Sequence, residues 1–547
     1  MDIDLPYTCV KPDGSFLCLL HSPSFTVKNL RKNKILMRIG SLAEGGVEVD
    51  NSVNFPSDDL EIIGAEEVYE VPNPFPFWGA TYILKPQADN RTLTMESFRF
   101  RHGVGQKEDR SRILADLLKG RLKDKNGRPY RLSDLPRTIL LALAQTSKDA
   151  DVLKAIAEIS CDMEFDSNKE PCGLCYLEDA NGNQRPLIKD YELFDVVANN
   201  EALPNDYKKA MVLNPGVQGP NPIVGEYGPE GETHVWEYMR ANSYIPWGHY
   251  ASNMAHDSIR YSIERLKHED IIGLRALYYQ RIYVQLAVSL GIPLSGYKDL
   301  SFETLEGLRS MLYSAVKKMM MTGKDIPFNA TLWGWNYGFD FSPSGYRLHA
   351  SHQQIHQQFA LIPKDAVATC GEGRFPTYTI GDQAARFAAH YRRYYNISFF
   401  DAYINAIYSN KRLDFRDDLP KSLVIYEDEH VIVHTPKAQR SQGEVQIMTK
   451  VRAGNILEAD AGTRKSLDAA IYLVMKGLHR LGAEMITCYE VSKRFDNPDP
   501  DQRLFYCFLP RHPQSPGAFS ERQGRWVTGH YPEDFAEVFR QTVKDLA

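Results

Sequence analysis

No stretch of the chain approaches the roughly 18 consecutive apolar residues that would make a membrane-spanning helix, so a membrane partner is not expected. Cysteine is scarce: eight in 547 residues are too few for a disulfide scaffold, and a reducing, cytoplasmic setting fits better. An excess of charge of one sign is missing as well. The 64 Lys and Arg against 70 Asp and Glu leave a net charge of −6, and without a global basic field nucleic acid is not an expected partner. The N-terminus, MDIDLPYTCVKPDGSF, carries two acids where a signal peptide has basic residues, and no apolar core follows. Secretion is therefore not expected.

What is present is ordinary globular composition, 43% apolar and 24% charged, which excludes disordered, collagen-like and coiled-coil classes. At roughly 150 residues per domain the length allows three to four domain-sized units. Residues 1–155 hold short alternating stretches such as Thr81-Tyr-Ile-Leu84, then basic, helix-like sequence, but no chemical motif. The basic run from Lys28 to Lys34 reads as a solvated surface. From Cys161 to Pro363 the chain organises itself. A CxxC pair, Cys172 and Cys175, leads into Tyr191–Asn199, an expected strand, and then a Gly/Pro-rich loop from Leu213 to Gly231. A further expected strand ends at His256. Apolar residues at helical spacing mark one helix from Ile271 to Leu290 and another from Phe302 to Met319, both with core faces. Two more expected strands, FNATLWGWNYGF and HASHQQIHQQFALIP, follow. Residues 366–420 read as a helical connector rich in Arg and Tyr. A second strand–helix–strand series then runs from Val424 to Pro510, ordered like the first, with a helix around Leu467–Leu478.

Two constellations could do chemistry. The segment Gly345–Pro363 holds His349, His352 and His356 with Gln353, Gln354, Gln357 and Gln358. On a strand, residues 352, 354 and 356 share one face, because side chains alternate. Neutral imidazole is a good nucleophile toward phosphorus, and an amide can donate to a non-bridging oxygen as charge builds. A polar strand with merely hydrogen-bonded histidines is the bland alternative. The second constellation is Cys172, Cys175 and His256, with His349 as a fourth member: zinc prefers tetrahedral thiolate and imidazole ligands, and two thiolates two residues apart can clasp one ion. Its alternative is a pair of thiols without metal, with His256 in a helix-capping turn before Asp257-Ser258.

From Cys172 to Pro363 the chain resembles the galactose-1-phosphate uridylyltransferase branch of the histidine-triad superfamily. The matching pieces stand in the right order: CGLC at 172–175, MAHDS around His256, WNYG with Asn336 and Gly338, and SGYRLHASHQQIHQQFALIP closing at Pro363. In the second series, VIYEDEHVIVHTPKAQRSQGEVQIMTK is similar to the opening strands of a histidine-triad domain, and DQRLFYCFLPR to its closing strand. Where family members often carry histidines in that strand, Leu504, Tyr506 and Phe508 stand here, which implies a non-nucleophilic second half.

The resemblance implies an α+β fold of two histidine-triad-like halves, each a mostly antiparallel sheet with helices; residues 1–155 fall outside it and are expected to form an N-terminal extension domain without an assigned role. The boundaries are 1–155 for the extension, 156–365 for the first half with the active site and CxxC metal site, 366–420 for the connector, and 421–547 for the degenerate second half. It also implies a covalent mechanism in which a histidine attacks the α-phosphorus of a nucleotide and an acceptor resolves the nucleotidyl-histidine. The spacing here departs from the family's His-x-His-x-Gln, and three registers fit. In the first, a bulge absorbs the extra residue, His349 lies near the metal, His352 attacks and Gln354 holds the phosphate; Gly345, seven residues before His352, favours it. In the second, His356 attacks with Gln358 as partner. In the third, His352, Gln354 and His356 take the triad positions and a glutamine replaces the nucleophile. By the same resemblance Asn336, Gly338, Ser342 and Ser344 approach the phosphates, although FSPSG is turn-forming on any fold.

The expected function is a nucleotidyltransferase or phosphorylase acting on a nucleoside diphosphate sugar or a dinucleoside polyphosphate, with a phosphate or sugar phosphate as acceptor. The alternatives are a nucleotide hydrolase of the same superfamily and a non-catalytic, zinc-stabilised binder of a nucleotide or a protein. Zinc held by Cys172, Cys175, His256 and His349 is expected to be structural, since four protein ligands leave no open position. A homodimer is compatible with this reading.

Overall fold

The computed structural model describes residues 4–23, 25–27, 38–41, 48–50, 59–62, 64–100, 127–128, 131–178, 184–198, 200, 202–211, 266–294, 302–338, 356–369, 373–483, 485–511 and 518–546. Its elements, in chain order, begin with strands β1 (Leu19–His21), β2 (Val68–Pro72) and β3 (Ala80–Leu84). Helices α1 (Arg137–Thr146) and α2 (Ala150–Ser160), strands β4 (Met163–Phe165) and β5 (Pro171–Leu174), and helix α3 (Tyr191–Ala198) follow. Two long helices, α4 (His268–Ser289) and α5 (Phe302–Met321), lead to strands β6 (Phe328–Gly338) and β7 (His356–Pro363). Helices α6 (Ile380–Tyr395) and α7 (Phe399–Tyr408) then connect to β8 (Val424–Glu427), β9 (Val431–His434) and β10 (Val445–Thr449). Helix α8 (Ala461–Arg480), β11 (Met485–Val491), β12 (Phe505–Pro510), β13 (Arg525–Thr528) and α9 (Pro532–Val543) follow; shorter elements lie between those named.

The expected strands at 328–338 and 424–510 form, as do the helices at 271–290, 302–319 and 467–478 and the helical connector. The expected strand from Tyr191 is corrected: Tyr191–Ala198 is helix α3. Asp190 Oδ1 accepts from the backbone N–H groups of Glu192 (3.1 Å) and Leu193 (3.0 Å), an N-cap that satisfies the first turn. Its apolar run is buried as a helix face through Leu193, Phe194 and Val197. The segment ending at His256 lies outside the described residues.

Strands from both series pair into one seven-stranded antiparallel sheet, in the order β7-β6-β11-β12-β10-β9-β8. Separate sheets for two halves were expected; among the described residues β6 and β7 instead extend the sheet of the second series. The join is β6 on β11, with Gly334 opposite Tyr489 and Asn336 opposite Thr487. Side chains alternate across this sheet as the pleat requires. Val431, Val433, Tyr506 and Phe508 enter a core shared with α4, α5, α8 and α9. Ile432, Phe505 and Cys507 enter a second core with α6, α7 and residues of the N-terminal segment. All residues of β9 and β10 are buried, which explains why these strands read as near-continuous apolar runs.

The N-terminal segment lies on this second face. Its strands form a four-stranded sheet, β1-β2-β3-β13, with β13 parallel to β3. Asn73 Nδ2 donates to Ala438 O (3.2 Å) and Thr81 Oγ1 to Gln439 O (2.8 Å). Helices α1, α2 and α3 gather around a third, smaller core. Among the described residues no helix is long and apolar enough to cross a membrane.

Helix α6 starts with a capping box between Thr379 and Asp382 and runs close over the end of β11. A Cβ built on Gly381 would lie 1.8 Å from the Ser492 carbonyl oxygen. Gly381→Ala should therefore push the helix off the sheet and lower stability by about 3 kcal/mol, as overpacking does. Urea unfolding checks this, and a loss under about 0.5 kcal/mol would show that the contact yields.

Candidate functional site at the sheet edge

Among the described residues strand β7 is the edge of the seven-stranded sheet, and it begins at His356. Its antiparallel partner β6 sets Asn336 opposite His356, Trp335 opposite Gln357 and Gly334 opposite Gln358. His356 and Gln358 thus have the same parity along the strand. Gln357 has the other. Trp333 Nε1 donates to Gln357 Oε1 (2.9 Å), and Gln357 Nε2 donates to Leu274 O on α4 (3.2 Å). This clamp ties the edge strand to the helix one residue from His356, while Gln358 is exposed.

Beneath the clamp a guanidinium is sealed in the core. Arg275 is fully buried. Its charge centre lies 4.5 Å from the Trp333 ring and 4.9 Å from that of Tyr506. Nη2 donates to Tyr279 Oη (2.9 Å) and Tyr506 Oη (2.6 Å), and Nε reaches Asp468 Oδ1 at 3.4 Å. Glu490, also buried, accepts from Tyr506 (2.6 Å) and Tyr278 (3.0 Å) and stands 4.0 Å from Arg275. Two carboxyl groups thus face this guanidinium, although Arg464 also acts on Asp468. Burial raises the Asp468 carboxyl to about 7 against the pull of Arg275 and Arg464, and burial pushes Glu490 the same way. The arrangement holds α4, β6, β11 and β12 together; it contains no group that reaches solvent freely. The sequence reading gave Arg275 no role, and the signal passed over was an arginine flanked by the apolar positions Leu274 and Tyr278, which burial obliges to find acids.

The remaining expected site residues distribute as follows. Asn336 and Gly338 lie in β6 and His356 opens β7. His352, Gln354, Ser342 and Ser344 lie outside the described residues, as do His256 and His349. Cys172 is the extra residue of a bulge in β5, between the pairs Glu164–Gly173 and Phe165–Pro171. It is exposed, and Cys175 is half-buried. Among the described residues no three His, Cys, Asp or Glu side chains gather as a metal site. Two of the four expected zinc donors are therefore described and close no site by themselves.

The chain matches no protein-family model and no curated protein. Among solved structures it is similar to a galt-like protein from Arabidopsis thaliana, with 14% identity, 43% of this chain and 69% of that one covered, and a TM-score of 0.29. An ADP-glucose phosphorylase from Arabidopsis thaliana with bound ADP-glucose gives 14% identity, 43% and 67% coverage and a TM-score of 0.29. A uridylyltransferase gives 12% identity, 44% and 69% coverage and a TM-score of 0.31. Each of these likenesses is at low overall similarity and covers less than half of this chain.

An acid whose pKa is raised on folding keeps a proton that the unfolded chain has lost, so it favours the fold at low pH. That stability falls as pH rises from about 4, the ordinary aspartate value, through about 7. Asp468→Asn removes this component. Urea unfolding at pH 5 and pH 8 should show the variant gaining on the wild type at the higher pH; an offset independent of pH would mean that Asp468 is ionised throughout.

Proposed function

We propose that the protein is a nucleotidyltransferase or phosphorylase acting on a nucleoside diphosphate sugar or a dinucleoside polyphosphate, with the nucleophile on the edge strand β7. What supports the reading is the register that sets Asn336 opposite His356, with Gln358 two residues along. The second motif register pairs His356 with Gln358. The sequence spacing favoured His352, which lies outside the described residues; we assign the attack to His356, which opens β7.

In the first step the imidazole nitrogen forms a bond to the α-phosphorus, and the bond from phosphorus to the bridging oxygen breaks, its electron pair leaving on the phosphate-bearing group. In the second, an acceptor phosphate oxygen attacks the same phosphorus and the nitrogen–phosphorus bond breaks, restoring the imidazole. Gln358 and Asn336 would donate hydrogen bonds to the oxygens on which charge builds. Glycine at 334 and 338 lets substrate approach the backbone of β6. Zinc belongs to this reading as a structural ion away from the reaction, with Cys172, Cys175, His256 and His349 as its holders.

Incubation with α-labelled nucleoside diphosphate sugars should leave base-stable, acid-labile label on the protein. His356→Gly should reduce the label to background and His352→Gly should keep it. The opposite pattern would return the nucleophile to His352, and no label in the wild type with any donor would overturn the covalent mechanism. Metal analysis should find Cys172→Ser depleted of zinc relative to the wild type; equal zinc in both would remove the proposed ligand set.

A further inference from the structure

A large cavity shares no residue with the β6–β7 edge. It has a volume of about 1070 Å³ and opens between the N-terminal segment, the β9–β10 connection and the chain after β12. That is at or above the usual size of a small-molecule site, roughly 300–1,000 Å³. Its walls combine aromatic rings with arginines, and most of the charges are already paired. Arg99 meets Glu96 at 3.5 Å, Arg511 meets Glu521 at 3.5 Å, and Arg440 is held by Glu444 while its charge centre lies 3.8 Å from the Trp78 ring.

Two cations are left over. Arg91 is half-buried and spends one donor on Ser97 O (3.0 Å), with its charge centre 5.2 Å from the Phe98 ring. Among the described residues neither Arg91 nor Arg522, the last residue of the short helix Ala518–Arg522, has a carboxylate partner. Burial lowers the Arg91 pKa, so the charge is held there at a cost that a bound anion would offset. Trp526, half-exposed, lines the same cavity, its indole Nε1 fixed by donation to Trp78 O (2.9 Å). A ring held at its nitrogen still offers a face on which any nucleobase can stack. Guanidinium forks match phosphate oxygens in pairs.

We propose that this cavity binds a small phosphorylated aromatic ligand of nucleoside diphosphate type, Arg91 and Arg522 meeting the phosphates and Trp526 stacking on the base. The site is independent of the nucleophile on β7.

Calorimetric titration of the full chain with ADP as the probe tests it. Arg91→Ala and Arg522→Ala should each weaken one class of ADP site at least about tenfold, as loss of a charge-assisted contact does. Label formation at β7 should be unchanged in both. The exposed Arg522 makes its variant safe for folding, and a thermal melt verifies this for Arg91→Ala. ADP should quench tryptophan fluorescence in the wild type and less in Trp526→Leu. ADP binding at wild-type affinity and stoichiometry in both arginine variants would overturn the proposal. So would inorganic pyrophosphate binding as tightly as ADP, which would deny any role to the aromatic ring. Failure of the labelling experiment leaves this titration readable, so the two readings fall separately.

Discussion

The antiparallel pairing of β6 with β11 is the constraint on which the rest depends. It runs from Gly334–Tyr489 to Gly338–Met485 and joins an otherwise isolated hairpin, β6–β7, to five strands of the second series. A two-stranded hairpin alone is marginal in water. The register also decides the faces. With Trp333 and Trp335 on the α4 side beside Ile486 and Cys488, the opposite parity falls to Gly334 and Asn336. A one-residue slip would exchange the two sets and carry the tryptophans out of the core.

Two buried guanidiniums fasten the layers on either side of this sheet. Arg275 ties α4 to Glu490 and Tyr506; Arg440 lies over Trp78 of the N-terminal segment and is paired with Glu444. Buried ion pairs of this kind add little net stability, because desolvation cancels much of the attraction, but removing one partner strands a charge and costs about 3–5 kcal/mol. Their effect is to exclude alternative packings. A layer shifted by one turn or one strand would separate Arg275 from Glu490 and Arg440 from the Trp78 ring. The clamp from Trp333 through Gln357 to Leu274 depends on the same fit, since α4 must lie where Arg275 puts it.

Legibility followed the range of the interactions. Strands β8 to β12 and helix α8 could be read because their apolar periodicity is local, and the core faces of α4 and α5 for the same reason. Tyr191–Ala198 was misread because a short apolar run suits strand and helix alike, and the deciding cap on Asp190 is a single side chain. The merging of two expected sheets was hidden, since nothing local to Gly334 announces a partner at Tyr489. The N-terminal segment carries no motif because its links, Asn73 to Ala438 and Thr81 to Gln439, join distant backbone groups. At the candidate site the histidine-rich segment was visible from composition, whereas the pairing of its last residues with β6 joins positions 20 or more apart and had no local signal. Arg275 and Asp468 escaped because a helix face that is apolar on average conceals one charged residue.

The same packing explains why the strands β8 to β12 present no accessible nucleophile. On the α4 face of β12, Tyr506 is engaged by Arg275 and Glu490. On the other face Cys507 is fully buried, and burial pushes its thiol up to about 11, so the reactive thiolate is suppressed at neutral pH. The one histidine within β8 to β12 is His434, whose ring is wholly buried; desolvation holds it down to about 3, and Tyr403 Oη lies 3.2 Å from its Nε2. A neutral imidazole there is no poorer in nitrogen lone pairs than one on β7, but no phosphorus can reach it. Polar groups in the second series are thus consumed in holding the layers, and that is the condition under which an exposed edge strand can be held in one register beside α4.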